Sequence, residues 1–176
     1  MRLGICLFVA SALLLAATAT PYAQAVSISS DVLKDWAAQK AVMMKIAAEM
    51  PEDKFTYKST PAQRNYGEQV LHVAQINMAI MQTLGATTPA PQINMKATAK
   101  ADILRALEQS FDYGEAALKE FNDAQMVALV MGPRFIGQAT RARIVYFAIA
   151  HSQDIYGQMV VYLRLNGHVP PASQRP

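Results

Sequence analysis

Nearly all prolines after residue 25 lie between four long stretches in which apolar residues recur every three or four positions. Proline removes a backbone donor and clashes with the preceding turn, so each such cluster ends one helix before the next begins. The first stretch runs from a capping serine, Ser29 or Ser30, to Met50, with Leu33, Trp36, Met43, Ala47 and Met50 on one face, and Pro51 stops it. Thr60-Pro61 predicts a short helical turn. Asn65 with Glu68 three residues on reads as a capping box, opening a second helix whose inward stripe is Val70, Val73, Ile76, Ile80 and Leu84 and which Gly85 closes. Residues 86–96 carry Pro89 and Pro91 and no periodicity, which predicts a surface loop.

A third helix follows, capped by Thr98, with Asp102 in its first turn and Ile103, Leu107, Phe111, Gly114, Leu118 and Phe121 facing inward. Residues 122–137 fit no period and read as a connection. The fourth helix starts near Gln138 or Thr140 and ends at Leu165, where Asn166-Gly167 supplies a left-handed cap and Pro170-Pro171 prevents continuation. No strand-like alternation of any length is present. The expected architecture is all-α, a four-helix bundle with a long crossover loop in the middle.

The first 25 residues differ from everything after them. Arg2 supplies one positive charge, Leu3 to Ala17 is apolar, and Ala23-Gln24-Ala25 has the small-x-small pattern that signal peptidases cut. The prediction is a cleaved signal peptide over 1–25, a single helical-bundle domain over 26–176, and a periplasmic or secreted product. The apolar run is shorter than the ~20 residues a spanning helix needs, so no membrane association is expected after cleavage. Cys6 is the only cysteine and lies in the leader, which excludes cysteine catalysis and disulfides from the remainder. Without Arg2, fifteen Lys and Arg face thirteen Asp and Glu, scattered rather than clustered, and this balance excludes a nucleic-acid surface.

The residues that could carry chemistry are few. On the fourth helix the stripe Ile144, Ala148, His151, Ile155, Gln158, Tyr162 and Leu165 points two polar side chains, His151 and Gln158, into apolar company. On the second helix His72 borders the core-facing stripe, so two histidines on different helices can meet inside the bundle, which is how bundles build metal sites. Asp154 and Glu68 each sit three or four residues from one of these histidines. Two readings stand side by side: a divalent metal site, or a structural histidine–carboxylate arrangement with Glu68 occupied by capping. His168 lies beyond the end of the fourth helix, more than ~20 Å from His151 along the axis at ~1.5 Å per residue, and is excluded as a ligand. Tyr156, Tyr162 and Arg164 could form a polar contact surface or simply pack. Phosphate loops, a Gly-x-Ser-x-Gly elbow and a His-Glu-x-x-His helix are absent from the sequence.

Three stretches carry a family resemblance: Ala48 to Phe55, Tyr66 to Ala74, and Ala150 to Gln158 leading into Tyr162 to Pro171, the last being the most specific. Over roughly residues 33–173 the chain resembles the DinB family of bacterial four-helix-bundle proteins. The resemblance implies a metal triad, one histidine on the second helix and two histidines four residues apart on the fourth, typically holding zinc, nickel or another divalent ion. His72 and His151 match the first two positions, and the third is Ile155. Isoleucine has no lone pair to give, so either Asp154 replaces the missing ligand or the metal has been lost and Ile155 packs as core. The second outcome is favoured, with His72 and His151 then paired through hydrogen bonds or water.

The resemblance also implies metal-dependent thiol transferases and isomerases among the relatives, together with members of no demonstrated activity, so it constrains fold more than reaction. Two functions follow: an exported binding or stress-related bundle with a degenerate site and no cofactor, or a divalent-metal-dependent transferase or hydrolase using His72, His151 and Asp154. Export favours the first, because the family's best-known reactions use cytosolic thiols. A homodimer is expected from the pairing of relatives through helix faces, and the small-molecule ligand is left open.

Overall fold

The computed structural model describes residues 27–174, so the leader predicted over 1–25 lies outside the described residues. Four long helices form the body: α1 (Ile28–Glu49), α2 (Tyr66–Met81), α3 (Lys100–Leu118) and α5 (Arg141–Leu165), with a single-turn α4 (Asp123–Met126) before the last. The all-α bundle with a long crossover is what the proline punctuation predicts.

Helix directions follow from the side chains that meet. Lys40 on α1 reaches both Glu108 and Asp112 while Trp36 reaches Phe111, so α1 and α3 are antiparallel. Asp35 and Gln39 meet Tyr146 and Gln153, so α1 and α5 run parallel. Asn77 meets Ser110 and Gly67 lies against Ile103, so α2 and α3 are also parallel. The helices therefore form a ring in the order α1, α3, α2, α5, and α2 packs against both α3 and α5. Two adjacent parallel helices consecutive in sequence require a connection that returns along the bundle, which is the physical reason for the long loop after Gly85.

Several helix ends differ from expectation. Ser27, not Ser29 or Ser30, caps α1 by accepting from the Ser30 N–H at 3.2 Å, and Ser27 and Ser29 both donate to the Asp123 carboxylate. Ala99 rather than Thr98 occupies the N-cap of α3 and makes no side-chain cap bond. Thr60-Pro61 forms a turn without a helix, closed by Gln63 N–H to Thr60 C=O at 3.1 Å. The Asn65/Glu68 capping box is present in both directions, at 2.8 and 2.7 Å. Gly85, which ends the 3-10 turn Gln82–Leu84 after α2, and Gly167, just past α5, both adopt φ of +77°, and the His168 N–H bonds the Leu163 carbonyl across the second of these turns.

Residues 122–137 are not a plain connection. Beyond α4, Leu129–Met131 (β1) and Gln138–Thr140 (β2) pair antiparallel, with Val130 opposite Ala139, and Thr140 then caps α5. Of the two expected starts of the fourth helix, Thr140 is its N-cap, whereas Gln138 lies in β2. Arg141 ties the region together, donating to the Leu84 and Gln125 carbonyls and lying over the Phe121 ring at 4.6 Å.

The core holds Trp36, Met43, Ile46, Tyr66, Ile80, Leu107, Phe111 and Ile144 with no solvent exposure. Trp36 donates to the Phe111 carbonyl at 2.8 Å, satisfying the one polar atom on its ring. Its indole occupies the space where a Cβ on Gly114 would stand, 2.3 Å from Cζ2, so glycine at 114 is a packing requirement. Of the predicted stripes, α3's is wholly buried, whereas Leu33 and Ile76 are half-buried and Leu165 is exposed. Among the described residues no helix is long and apolar enough to cross a membrane.

Candidate functional site

The antiparallel α2–α5 seam carries two polar rungs. Antiparallel packing advances one helix as the other recedes, which sets His72 opposite His151 and Gln69 opposite Gln158. The histidine Nε2 atoms are 3.1 Å apart, with ring centroids at 4.9 Å and planes at 70°. Gln69, fully buried, donates to Gln158 Oε1 at 2.8 Å, and Gln158 in turn donates to the Asp154 carboxylate at 3.0 Å.

Both histidines are biased toward the neutral form. Burial chiefly, then the Arg64 guanidinium and His151, lower His72 to about 4, with a hydrogen bond to the Gln75 side chain acting in the opposite sense. Burial also lowers His151, against the pull of Asp154, and Arg64 adds to the lowering. A neutral pair shares one N–H across the 3.1 Å gap, and each ring keeps one further nitrogen to satisfy.

The structure brings together His72 and His151 among the residues singled out in the sequence. Asp154 is exposed and its carboxylate engages Gln158. Ile155 is 2 % exposed and packs in the core cluster. Glu68 is held in the capping box, 4.0 Å from Lys58. His168 is half-buried at the far end of α5, and Tyr162 is buried with its hydroxyl on the Arg64 carbonyl at 2.6 Å.

A metal can be tested against this donor set. An ion with metal–nitrogen bonds of ~2.0–2.1 Å spans 3.1 Å at an angle of roughly 95–100°, so the two Nε2 atoms could occupy adjacent ligand positions. The set stops there. Among the described residues no three His, Cys, Asp or Glu side chains come together in a way that could hold an ion, the third triad position presents isoleucine, and the nearby Arg64 charge opposes a cation. The three-histidine centre implied by the resemblance does not fit this chain.

A groove of about 360 Å³ opens beside His72, lined by Arg64, Glu68, Leu71, His72, Gln75 and Met95. Sequence reasoning named His72 and missed Arg64, Gln69 and Gln75. Gln69 and Gln75 could have been found, since each lies three residues from His72 and so shares its helical face. Arg64 gives no such signal, being a lone cation in a loop.

The fold and seam define a mostly helical bundle with a paired-histidine interface between two antiparallel helices. The chain belongs to the DinB family, whose model matches residues 23–176. A DinB-like protein from Bacillus cereus superposes with a TM-score of 0.72 at 17 % identity, covering 82 % of this chain and 96 % of that one. A DinB-like protein from Bacillus subtilis gives 0.65 at 18 % identity, covering 82 % and 99 %. YfiT from Bacillus subtilis, described as a probable metal-dependent hydrolase with an unusual four-helix bundle topology, gives 0.63 at 15 % identity, covering 80 % and 88 %. No curated protein matches the chain. At these identities the likeness to solved structures concerns the fold.

Proposed function

We propose that this DinB-family chain is an exported binding protein, acting outside the cytoplasm or in a stress response, whose ancestral metal centre is reduced to a hydrogen-bonded histidine pair. The observation that carries this reading is the burial of Ile155, at 2 % exposure, where the resemblance places the third ligand. An apolar side chain fitted into core is stabilised by its surroundings and is not a vacancy that water or a metal could enter. The leader pattern over 1–25 supports export.

One observation favours a second reading, a divalent-metal-dependent transferase or hydrolase using His72, His151 and Asp154. The 3.1 Å Nε2 separation suits two adjacent ligands of one ion, and YfiT carries a metal-dependent description. Asp154 would have to leave Gln158 to complete such a site. Elemental analysis of tag-free protein, before and after incubation with zinc or nickel, separates the two. The expected result is no stoichiometric metal. Stoichiometric metal in the parent that disappears in His151→Ala would overturn the binding-protein reading.

A further inference from the structure

The tautomers of the histidine pair can be assigned from what surrounds them. His151 Nδ1 is buried with no partner. Leaving a buried N–H unpaired is the rarer and costlier arrangement, so this nitrogen is the bare acceptor and the His151 proton sits on Nε2. His151 Nε2–H therefore donates to His72 Nε2, and His72 carries its own proton on Nδ1. Gln75, three residues on from His72 and so on the same helical face, lines the groove beside it. Its exposed side-chain amide offers the groove an N–H donor.

Arg64 stands across the same groove. Among the described residues it makes no ion pair, although six Lys and Arg side chains do. Its backbone is fixed by the Tyr162 hydroxyl on its carbonyl, and its charge is felt at both histidines. Glu68 is the one acidic residue in the lining, and it accepts from the Asn65 N–H at 2.7 Å with Lys58 at 4.0 Å. The groove thus presents an unpaired planar cation and an amide donor beside two apolar side chains, Leu71 and Met95. Its volume of about 360 Å³ is in the range of small-molecule sites, roughly 300–1,000 Å³.

We propose that this groove binds a small carboxylic acid anion, its carboxylate held by Arg64 and Gln75 and its apolar body laid on Leu71 and Met95. Arg is matched to carboxylate because its two parallel N–H groups meet both oxygens. A neighbouring recess lined by Phe55, Lys96, Thr98 and Ile103 shares Leu71 and Met95, so a longer apolar body could extend into it. The inference rests on the metal-free reading of the pair given above.

The test is titration of chelator-dialysed protein with benzoate and, in parallel, benzamide, followed by NMR of the histidine ring and Gln side-chain resonances. Benzoate is expected to saturate, with benzamide at least about tenfold weaker, a difference of ~1.4 kcal/mol. Arg64→Gln should weaken benzoate by at least about the same factor and leave benzamide unchanged. Gln75→Ala should weaken benzoate in an otherwise folded protein. Benzoate that never saturates, benzamide that binds equally, or an Arg64→Gln variant that binds benzoate like the parent would each overturn the proposal. Metal content measured on the same sample distinguishes the two failures: a metal-free protein that ignores benzoate sinks this inference alone, whereas stoichiometric metal sinks the reading beneath it.

Discussion

Replacing Ile155 with histidine would rebuild the triad implied by the resemblance, and the cost and the gain can both be estimated. Ile155 is 2 % exposed, so its removal forfeits roughly 1.5–3 kcal/mol of apolar burial. Putting an imidazole in that place adds about 1–3 kcal/mol unless its polar atoms find partners. A net loss of about 3 kcal/mol corresponds to a fall in Tm of roughly 6–12 °C for a domain of this size. Metal should reverse much of it. An ion on the His72 and His151 Nε2 atoms would lie about 1.3 Å from their midpoint if its bonds are ~2.05 Å, and position 155 is one helical turn from His151. At a hundredfold excess over Kd, ligation adds ~2.7 kcal/mol, which restores roughly 5–10 °C. The assay is thermal unfolding of parent and Ile155→His in chelator and in zinc or nickel. The parent should shift little between the two conditions and the variant strongly. A variant that loses no stability in chelator, or gains no more from metal than the parent does, would refute the argument that Ile155 alone separates this site from a metal centre.

Two further outcomes follow from the packing and the electrostatics. Gly114→Ala gains about 1 kcal/mol of helix propensity but drives a Cβ to 2.3 Å from Trp36, whose indole is buried and hydrogen-bonded; the net should be a loss of about 2 kcal/mol with a change in the emission of the chain's single tryptophan, and an unchanged or higher Tm would count against it. His72 is lowered from 6.5 to about 4 in the folded state, so the native protein resists a proton that the unfolded chain accepts. Stability from this group is therefore intact above pH ~6.5, declines as pH falls toward 4, and then levels off. The open groove reduces the effect to about 1–2 kcal/mol, most clearly seen between pH 7 and 5, above the range in which Glu120, at about 2, begins to titrate. Urea unfolding of parent and His72→Gln at both pH values should show the decline in the parent and a flatter response in the variant; equal slopes would dispose of the assignment.

What the sequence disclosed depended on the range over which each signal acts. The Asn65/Glu68 box and the Asn166-Gly167 cap were legible because each is complete within a few residues of chain. The start of α1 was displaced to Ser27 because Asp123, distant in sequence, recruits the serines there, and no local rule registers such a partner. The hairpin in residues 129–140 escaped for a related reason. Its strands have three residues each, too few to show alternation, and it is held by Arg141 bonding carbonyls on two other elements. Periodicity reports long elements with one buried face, and this segment is neither.

The candidate site divides along the same line. Inward placement of His151 was readable from the α5 stripe, but the partner of each polar group depended on the antiparallel α2–α5 register, in which His72 meets His151 and Gln69 meets Gln158. That register also disposes of the nearest carboxylates: Gln158, held from one side by Gln69, donates from the other to Asp154, and the capping box takes Glu68. A cation entering between the histidines would have to break the Asp154 contact or the helix cap to gain a carboxylate, while Arg64 repels it. An anion approaching from the groove meets none of these obstacles, since the donors there, Arg64 and Gln75, are the groups the bundle has left without an acid partner. The chemistry of the seam therefore turns on Ile155. With a third nitrogen there, the histidines would serve a metal and the groove would be the approach to it; with isoleucine, the same two histidines pair with each other at the edge of the proposed anion site.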